Sequence, residues 1–581
     1  MVVDLQEAFV MGMTRRDAIK LGLATGGAWL NPWGNPWNPS QASWADCTIA
    51  SPKNAFSPQI TPFTCPLYIP DRLAPTRTDN DTDYYEIKIQ QKSLTVPVDG
   101  GKSVFTLPDL WTYGGNVVGP LIRQRGGSRK SGGRQSVIRF VNELPTDQTP
   151  EMQRDRSVVI HLHGMNSLPY YDGYATDFIP PNHYKDFAYP NDVAGTLWYH
   201  DHTLDKTARN VYRGLAGMYL VHDECELQLK LPQDNFDVPL IIQDKHFDAN
   251  GCLKPLSTNR NNGFYGDVIC INGMPFPYLD VQPCRYRFRL LNASASRSYQ
   301  LALSQPNLPE SAGGTLIVIG NDEGLLNAPV PLTTLYQTLP LGIAERYDII
   351  IDFANYNPGD RVYLRNVGYT GTLDVDNRTH TLMCFRVVVG DRDTTELPER
   401  LGNNVYDIPR SRVVRERSFR FAPSGNVWSI NGKTWNENRI DANPNLGDVE
   451  IWEFTNPGGG WVHPVHPHLV RFRILSRNGL AVPAYQQGWK DVVMVGESQR
   501  VRVLAEFCPH EGRYMMHCHN LVHEDFAMMT QFQVGRNIND PHSHPAKPIA
   551  ELHPIEHPTL PDEFCPIPPG VGCQVSSTAA S

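Results

Sequence analysis

Short runs of alternating apolar and polar residues, each closed by Gly, Pro, Asn or Asp, recur along the chain. Residues 84–89, 136–140 and 157–161 are early examples; 238–242, 286–291, 348–353, 449–454 and 500–505 follow. A period of two puts successive side chains on opposite faces of an extended strand, and the β-branched content of these runs suits that conformation. Long apolar stripes at helical spacing are missing. The pattern therefore predicts an all-β protein built of sandwiches. Its spacing suggests units at 83–230, 231–400 and 410–540, an irregular lead-in at 46–82 and a Pro-rich tail at 541–581.

Composition adds limits. A chain of 581 residues is too long for a single core and fits about three domains. Its 46 Gly and 48 Pro favour turns over helices, and its net charge of -9 supplies no basic stripe for nucleic acid. No run of 18 or more apolar residues is present, so no membrane span is expected. Thr14-Arg15-Arg16-Asp17-Ala18-Ile19-Lys20, a weakly apolar run from Leu21 to Leu30 and small residues at Ser43-Trp44-Ala45 resemble a twin-arginine export signal over residues 1–45. Export to the periplasm or the extracellular space follows as an expectation. Of eleven cysteines, ten could pair in an oxidising compartment; the eleventh, Cys518, sits between two histidines.

The histidines change the picture most. Ten of nineteen fall in four clusters: His161-Leu162-His163, His200-Asp201-His202, His463-Pro464-Val465-His466-Pro467-His468, and His517-Cys518-His519 with His523 and Met528 behind it. The middle unit holds only His246 and His380, so it is expected to act as a spacer. On a strand, His-X-His presents two imidazoles to one side. In the fourth cluster His517 and His519 face one way and Cys518 the other, so backbone joins two sites. Two imidazoles, one thiolate and a weak thioether (His463, Cys518, His523 and Met528) are the donor set of blue copper rather than of structural zinc. The other eight clustered histidines suit Cu, Zn, Fe or Ni, and their link to Cys518 favours copper.

These four motifs, in this order and separation, resemble the multicopper oxidases over most of residues 60–540. Residues 198–202, 286–294, 344–353 and 517–529 are most similar to bilirubin oxidases, with spore-coat-type bacterial laccases next. The resemblance implies three cupredoxin-like Greek-key sandwiches and four copper ions. It gives the type 1 copper to His463, Cys518, His523 and axial Met528, and the type 2 copper to His161 and His466. The type 3 pair takes His163, His200, His202, His468, His517 and His519, at the interface of the outer domains. Pro467 departs from the family, which has an aliphatic residue there; an edge strand would tolerate a missing N–H.

The implied reaction is one-electron oxidation of a small reducing donor, bilirubin, phenolic or similar, coupled to four-electron reduction of O2 to water by a monomer. Protons for that reduction need a buried carboxylate relay. Asp172 and Glu524 are the candidates, with orientation of imidazoles as the alternative role. Asn520 is expected to hydrogen-bond near the Cys518 sulfur, and Trp461 to border the donor site or pack in the core. A cuprous or manganous metallo-oxidase would be expected to carry Met-rich inserts, which are missing here. A copper-binding protein without turnover, using the tail histidines His542, His544, His553 and His557, is the reading from another class.

Overall fold

Strands form where the alternation predicts them. The computed structural model describes residues 56–127, 132–146, 154–256, 263–304, 314–333, 338–368, 378–390, 397–536, 539–558 and 560. The run at 84–89 lies inside the long strand Thr82–Val98, and that at 449–454 inside Val449–Asn456. The run at 157–161 is displaced to Ile160–His163, because Val158 makes only an isolated bridge with Ile179. β-structure also begins within the lead-in, where Arg77–Thr78 pairs with Asp83 and Tyr84. No helix among the described residues is long and apolar enough to cross a membrane.

Six sheets form among the described residues, in three pairs. In each pair an early long strand lies parallel to a later one: Thr82–Val98 to Gln135–Asn142, Asp237–Lys245 to Arg285–Asn292, and Val413–Ser424 to Val449–Asn456. Parallel neighbours cannot be joined by a tight hairpin, so the chain crosses between sheets, and that crossing makes a sandwich. The first core joins Tyr85, Ile87, Ile138 and Phe140 of the larger sheet to Leu162, Tyr199 and Tyr219 of the smaller. The third joins Phe421, Trp452 and Phe454 to Val465, Met516 and Cys518 in the same way.

One expectation is corrected. The ten remaining cysteines do not all pair: Cys252 and Cys508 are in disulfides, but Cys65, Cys270 and Cys384 are buried thiols. Part of the tail packs on the first sheet pair. Lys547–Pro548 adds to the first large sheet beside Tyr184 and His183, and Arg139 donates to the His553 carbonyl at 2.6 Å. His544 stacks on Tyr170 at 4.0 Å, so that histidine is occupied in packing. The export-signal residues 1–45 and Cys47, Cys565 and Cys573 lie outside the described residues.

Candidate metal centre

The strand Gly512–Cys518 carries the junction that the sequence predicts. It pairs antiparallel with His463–Pro467, placing Cys518 opposite Val465 and His517 opposite His466. Cross-strand partners share a face. Val465 and Cys518 point into the third core, and His466 and His517 point out of it. Inside, Cys518 Sγ lies 3.4 Å from His463 Nδ1 and 3.8 Å from His523 Nδ1, and the two imidazole nitrogens are 3.3 Å apart. Met528 is buried in the same core, and its carbonyl accepts from the Cys518 N–H. Burial pushes the His463 imidazole down to about 3 and the His523 imidazole well below its usual range, so both stay neutral with lone pairs available. Burial also pushes the Cys518 thiol up, while the backbone N–H of Asn520 acts against that rise.

Asn520 hydrogen-bonds to the Cys518 sulfur as expected, through its backbone N–H. Its side chain accepts from Val522 N and His523 N and so caps the helix Leu521–Asp525. Only its backbone reaches the sulfur. The cap fixes the turn that carries His523, because a short polar side chain satisfies amides the helix itself cannot. Trp428 stacks on His523 at 4.0 Å, and half-buried Trp461 meets the same ring edge-on at 4.7 Å. Trp461 therefore stands where the Cys518 site approaches the surface.

The outer face of that strand meets the first sheet pair. There His161 is opposite His200 on the antiparallel strands Ile160–His163 and Gly195–Asp201, while Leu162 and Tyr199 between them enter the first core. Eight imidazoles converge. His161 stacks on His468 at 4.0 Å and His163 on His466 at 3.8 Å. His517 Nε2 is 3.2 Å from the Nε2 of both His202 and His468. His163, His200 and His519 form another group, with ring centres 5.0 to 5.9 Å apart.

The chemistry of these rings fits metal binding. His161, His200 and His466 each commit Nδ1 to a backbone carbonyl, of Asp172, Asp201 and Asp491 respectively. Their Nε2 atoms are buried with no hydrogen-bond partner. Burial first, and neighbouring imidazoles second, hold His161 well below its usual range. Buried polar atoms are normally paired, so several bare nitrogens facing one space mark a site built for a cation. The two candidate acids sit behind the ring. Asp172 Oδ2 is 2.7 Å from His468 Nδ1, and burial drives its carboxyl well up. Glu524 lies 3.1 Å from His517 Nδ1 and 3.4 Å from His202 Nδ1. Burial would raise its carboxyl, but those two imidazoles outweigh burial and hold it at about 2.

Three contributors escaped the sequence reading. Asp201, between His200 and His202, accepts from Val159 N, Thr203 N and Asn210 Nδ2, fixing the turn that aims His202; burial raises its carboxyl to about 6. Asp491 Oδ1 faces His163 Nε2 at 3.2 Å. A carboxylate can only accept here, so Nε2 carries the proton, and the buried, unpartnered Nδ1 is the free donor atom of His163. Arg346, from the middle sheet pair, holds Asp491 through both carboxylate oxygens at 2.6 Å. Repetition of His-X-His could have flagged Asp201 by position, but no local signal marks Asp491 or Arg346.

Pro467 is not on an edge strand. His463–Pro467 lies between Val493–Val495 and Gly512–Cys518. Pairing with Val493–Val495 ends at Val465, however, and His468 N donates to Met515 O on the other side. Pro467 thus falls where no ladder bond is required of its nitrogen.

Comparison with known proteins agrees with this chemistry. Multicopper oxidase family models match residues 105–226 and 407–537. A bilirubin oxidase of Albifimbria verrucaria is 39% identical over 82% of this chain and 82% of its own length. A laccase of Bacillus subtilis (strain 168) is 34% identical over 83% of this chain and 99% of its own. The McoA multicopper oxidase of Aquifex aeolicus superposes with a TM-score of 0.69 at 30% identity, covering 81% of this chain and 99% of that one. With a copper-type donor set, a buried imidazole cluster and relatives at this identity and coverage, the chain belongs to the multicopper oxidase family, oxidoreductases that pair a small-molecule donor with O2.

Proposed function

We propose that the chain holds four copper ions and oxidises a small organic donor, bilirubin-like or phenolic. The carrying observation is the single strand that turns Cys518 Sγ toward His463 and His523 while His517 Nε2 meets His202 and His468. His463, Cys518, His523 and Met528 form the type 1 site. His161 and His466 form the type 2 site. His202, His468 and His517 hold one type 3 ion, and His163, His200 and His519 the other. Copper at these residues supplies one-electron oxidation of the donor and four-electron reduction of O2 to two waters. The peptide from Cys518 to His517 and His519 joins the two sites by a few covalent bonds. Asp172, whose carboxyl burial drives upward, hands on protons beside His468, and Glu524, held ionised, orients His202 and His517.

Oxygen uptake by the copper-loaded protein with bilirubin, a phenol, Cu(I) and Mn(II) tests the reading. Turnover is expected with the organic donors. Uptake with the metal ions alone, or with no donor, overturns it. Met515, Met516, Met528 and Met529 are all buried, so this group offers no surface thioether cluster for Cu(I).

The twin-arginine pattern and the disulfides at Cys252 and Cys508 support export and an oxidising final compartment. Fractionation of cells making the full chain and an Arg15→Lys, Arg16→Lys variant checks this, with retention of the variant inside expected. A monomeric state is the accompanying proposal, read by light scattering.

A further inference from the structure

Two of the eight clustered imidazoles, His163 and His466, lean on a residue that the middle sheet pair holds. That residue, Asp491, is gripped by a guanidinium from the middle sheet pair. Arg346 is fully buried, and each of its five N–H groups has an acceptor. Nε donates to Thr196 O at 2.6 Å; Nη1 to Ala344 O at 3.1 Å and Asp491 Oδ1 at 2.6 Å; Nη2 to Asp322 O at 3.2 Å and Asp491 Oδ2 at 2.6 Å. Thr196 is on the strand that carries His200. Asp491 serves two rings: its carboxylate takes the His163 Nε2–H, and its carbonyl takes the His466 Nδ1–H at 2.8 Å.

We propose that Arg346 is a positioning residue for the imidazole cluster, clamping Asp491 so that His163 offers Nδ1, and His466 offers Nε2, toward the bound metal. The inference rests on the assignment of those histidines as trinuclear ligands. Joining two sheet pairs would not by itself call for such a device. Buried ion pairs are often replaceable by apolar residues without loss of stability. A planar bidentate fork instead fixes the plane and rotation of a carboxylate, which a point charge does not. The space around the fork is filled as well. A Cβ on Gly164, which follows His163 at φ +93°, would come within 2.9 Å of Arg346 Nη2 and Asp491 Oδ2 and 3.0 Å of Glu323 Oε1. Glycine at 164 thus leaves the fork the room that a side chain beside His163 would take. The middle sheet pair is therefore not merely a spacer.

The test uses copper-loaded wild-type protein, Arg346→Lys and Asp491→Asn, with Arg417→Lys as a comparison. Arg417 pairs with buried Glu450 in the large sheet of the third pair, away from the histidines. For Arg346→Lys, kcat for O2 uptake should fall about 10–100-fold with the donor KM unchanged. The type 2 electron paramagnetic resonance signal should change, and dialysis against a chelator should strip trinuclear copper while the blue Cys518 absorbance persists. Asp491→Asn, nearly isosteric, should give the same three results and decides the matter if Arg346→Lys fails to fold. Arg417→Lys should lower the melting temperature alone. The proposal is overturned if both site variants keep wild-type copper content, resonance signal and kcat to within about twofold, or if Arg417→Lys produces the same spectral change. A wild-type protein without a type 2 signal or O2 uptake would instead count against the ligand assignment itself.

Discussion

An imidazole held by one nitrogen can present only the other, so the partner behind each ring decides what the front can do. Asp172 separates two roles for such a partner. Its carboxyl accepts from His468, which orients that ring, and burial drives it upward, which favours its protonated form. Asn in its place keeps an oxygen for His468 but cannot shuttle a proton. Asp172→Asn should lower kcat about 100-fold with copper content unchanged, measured by O2 uptake and metal analysis; copper loss instead would assign it orientation only. Met528 allows a second residue-scale prediction, since it would supply the weak thioether donor of a copper held by His463, Cys518 and His523, and that donor tunes the potential. Met528→Leu should raise the type 1 potential in a redox titration while costing less than about 1.5 kcal/mol, the swap being nearly isosteric. The clustered histidines and Cys518 were legible because His-X-His and His-Cys-His have chemical meaning at any location. Asp491 was not, because its role depends on Arg346, which is 145 positions away and shares no motif with it.

Within the elements, period two decided the architecture of the site. Val465 beside Cys518 and Leu162 beside Tyr199 fill cores, and the intervening histidines are forced to the opposite faces. That much follows from alternation alone. What alternation could not supply was where each ladder stops. Pro467 looked suited to an edge strand, yet it sits in an inner strand just past the last residue paired with Val493–Val495. Its missing N–H therefore removes no bond, and its ring only fixes φ. Pro467→Val should change stability by no more than about 1 kcal/mol and leave the copper count intact. Urea unfolding and metal analysis check both, and loss of trinuclear copper would mean that the fixed φ itself sets the spacing of His466 and His468. Adjacency to Cys518 was enough to place Asn520 at the sulfur, but not to show that its side chain caps a five-residue helix.

At the scale of the molecule, buried charge joins the sheet pairs that the hydrophobic pattern could only separate. Arg287 and Arg289 of the middle pair meet Glu226, Asp237 and Asp348, and Arg123 from the first small sheet reaches Asp237 Oδ2 at 2.8 Å. Sequence showed strand-forming alternation through 286–291 but gave no reason for buried arginines on the face opposite the core. Their partners are supplied by other strands and other sheets. Burial would raise the Asp237 carboxyl, but Arg289, Arg287 and Arg123 outweigh it and hold it well below its usual range. The folded state then binds fewer protons than the unfolded chain, whose Asp titrates near about pH 4. Stability from this group is fully present above that pH and is lost as pH falls through and below it. Asp237→Asn should cost about 3 kcal/mol at neutral pH, because it leaves buried guanidinium charge undercompensated. It should also flatten the decline of stability below about pH 4. Urea midpoints measured across that range for both proteins give the comparison, and parallel curves would assign the acid sensitivity to other carboxylates.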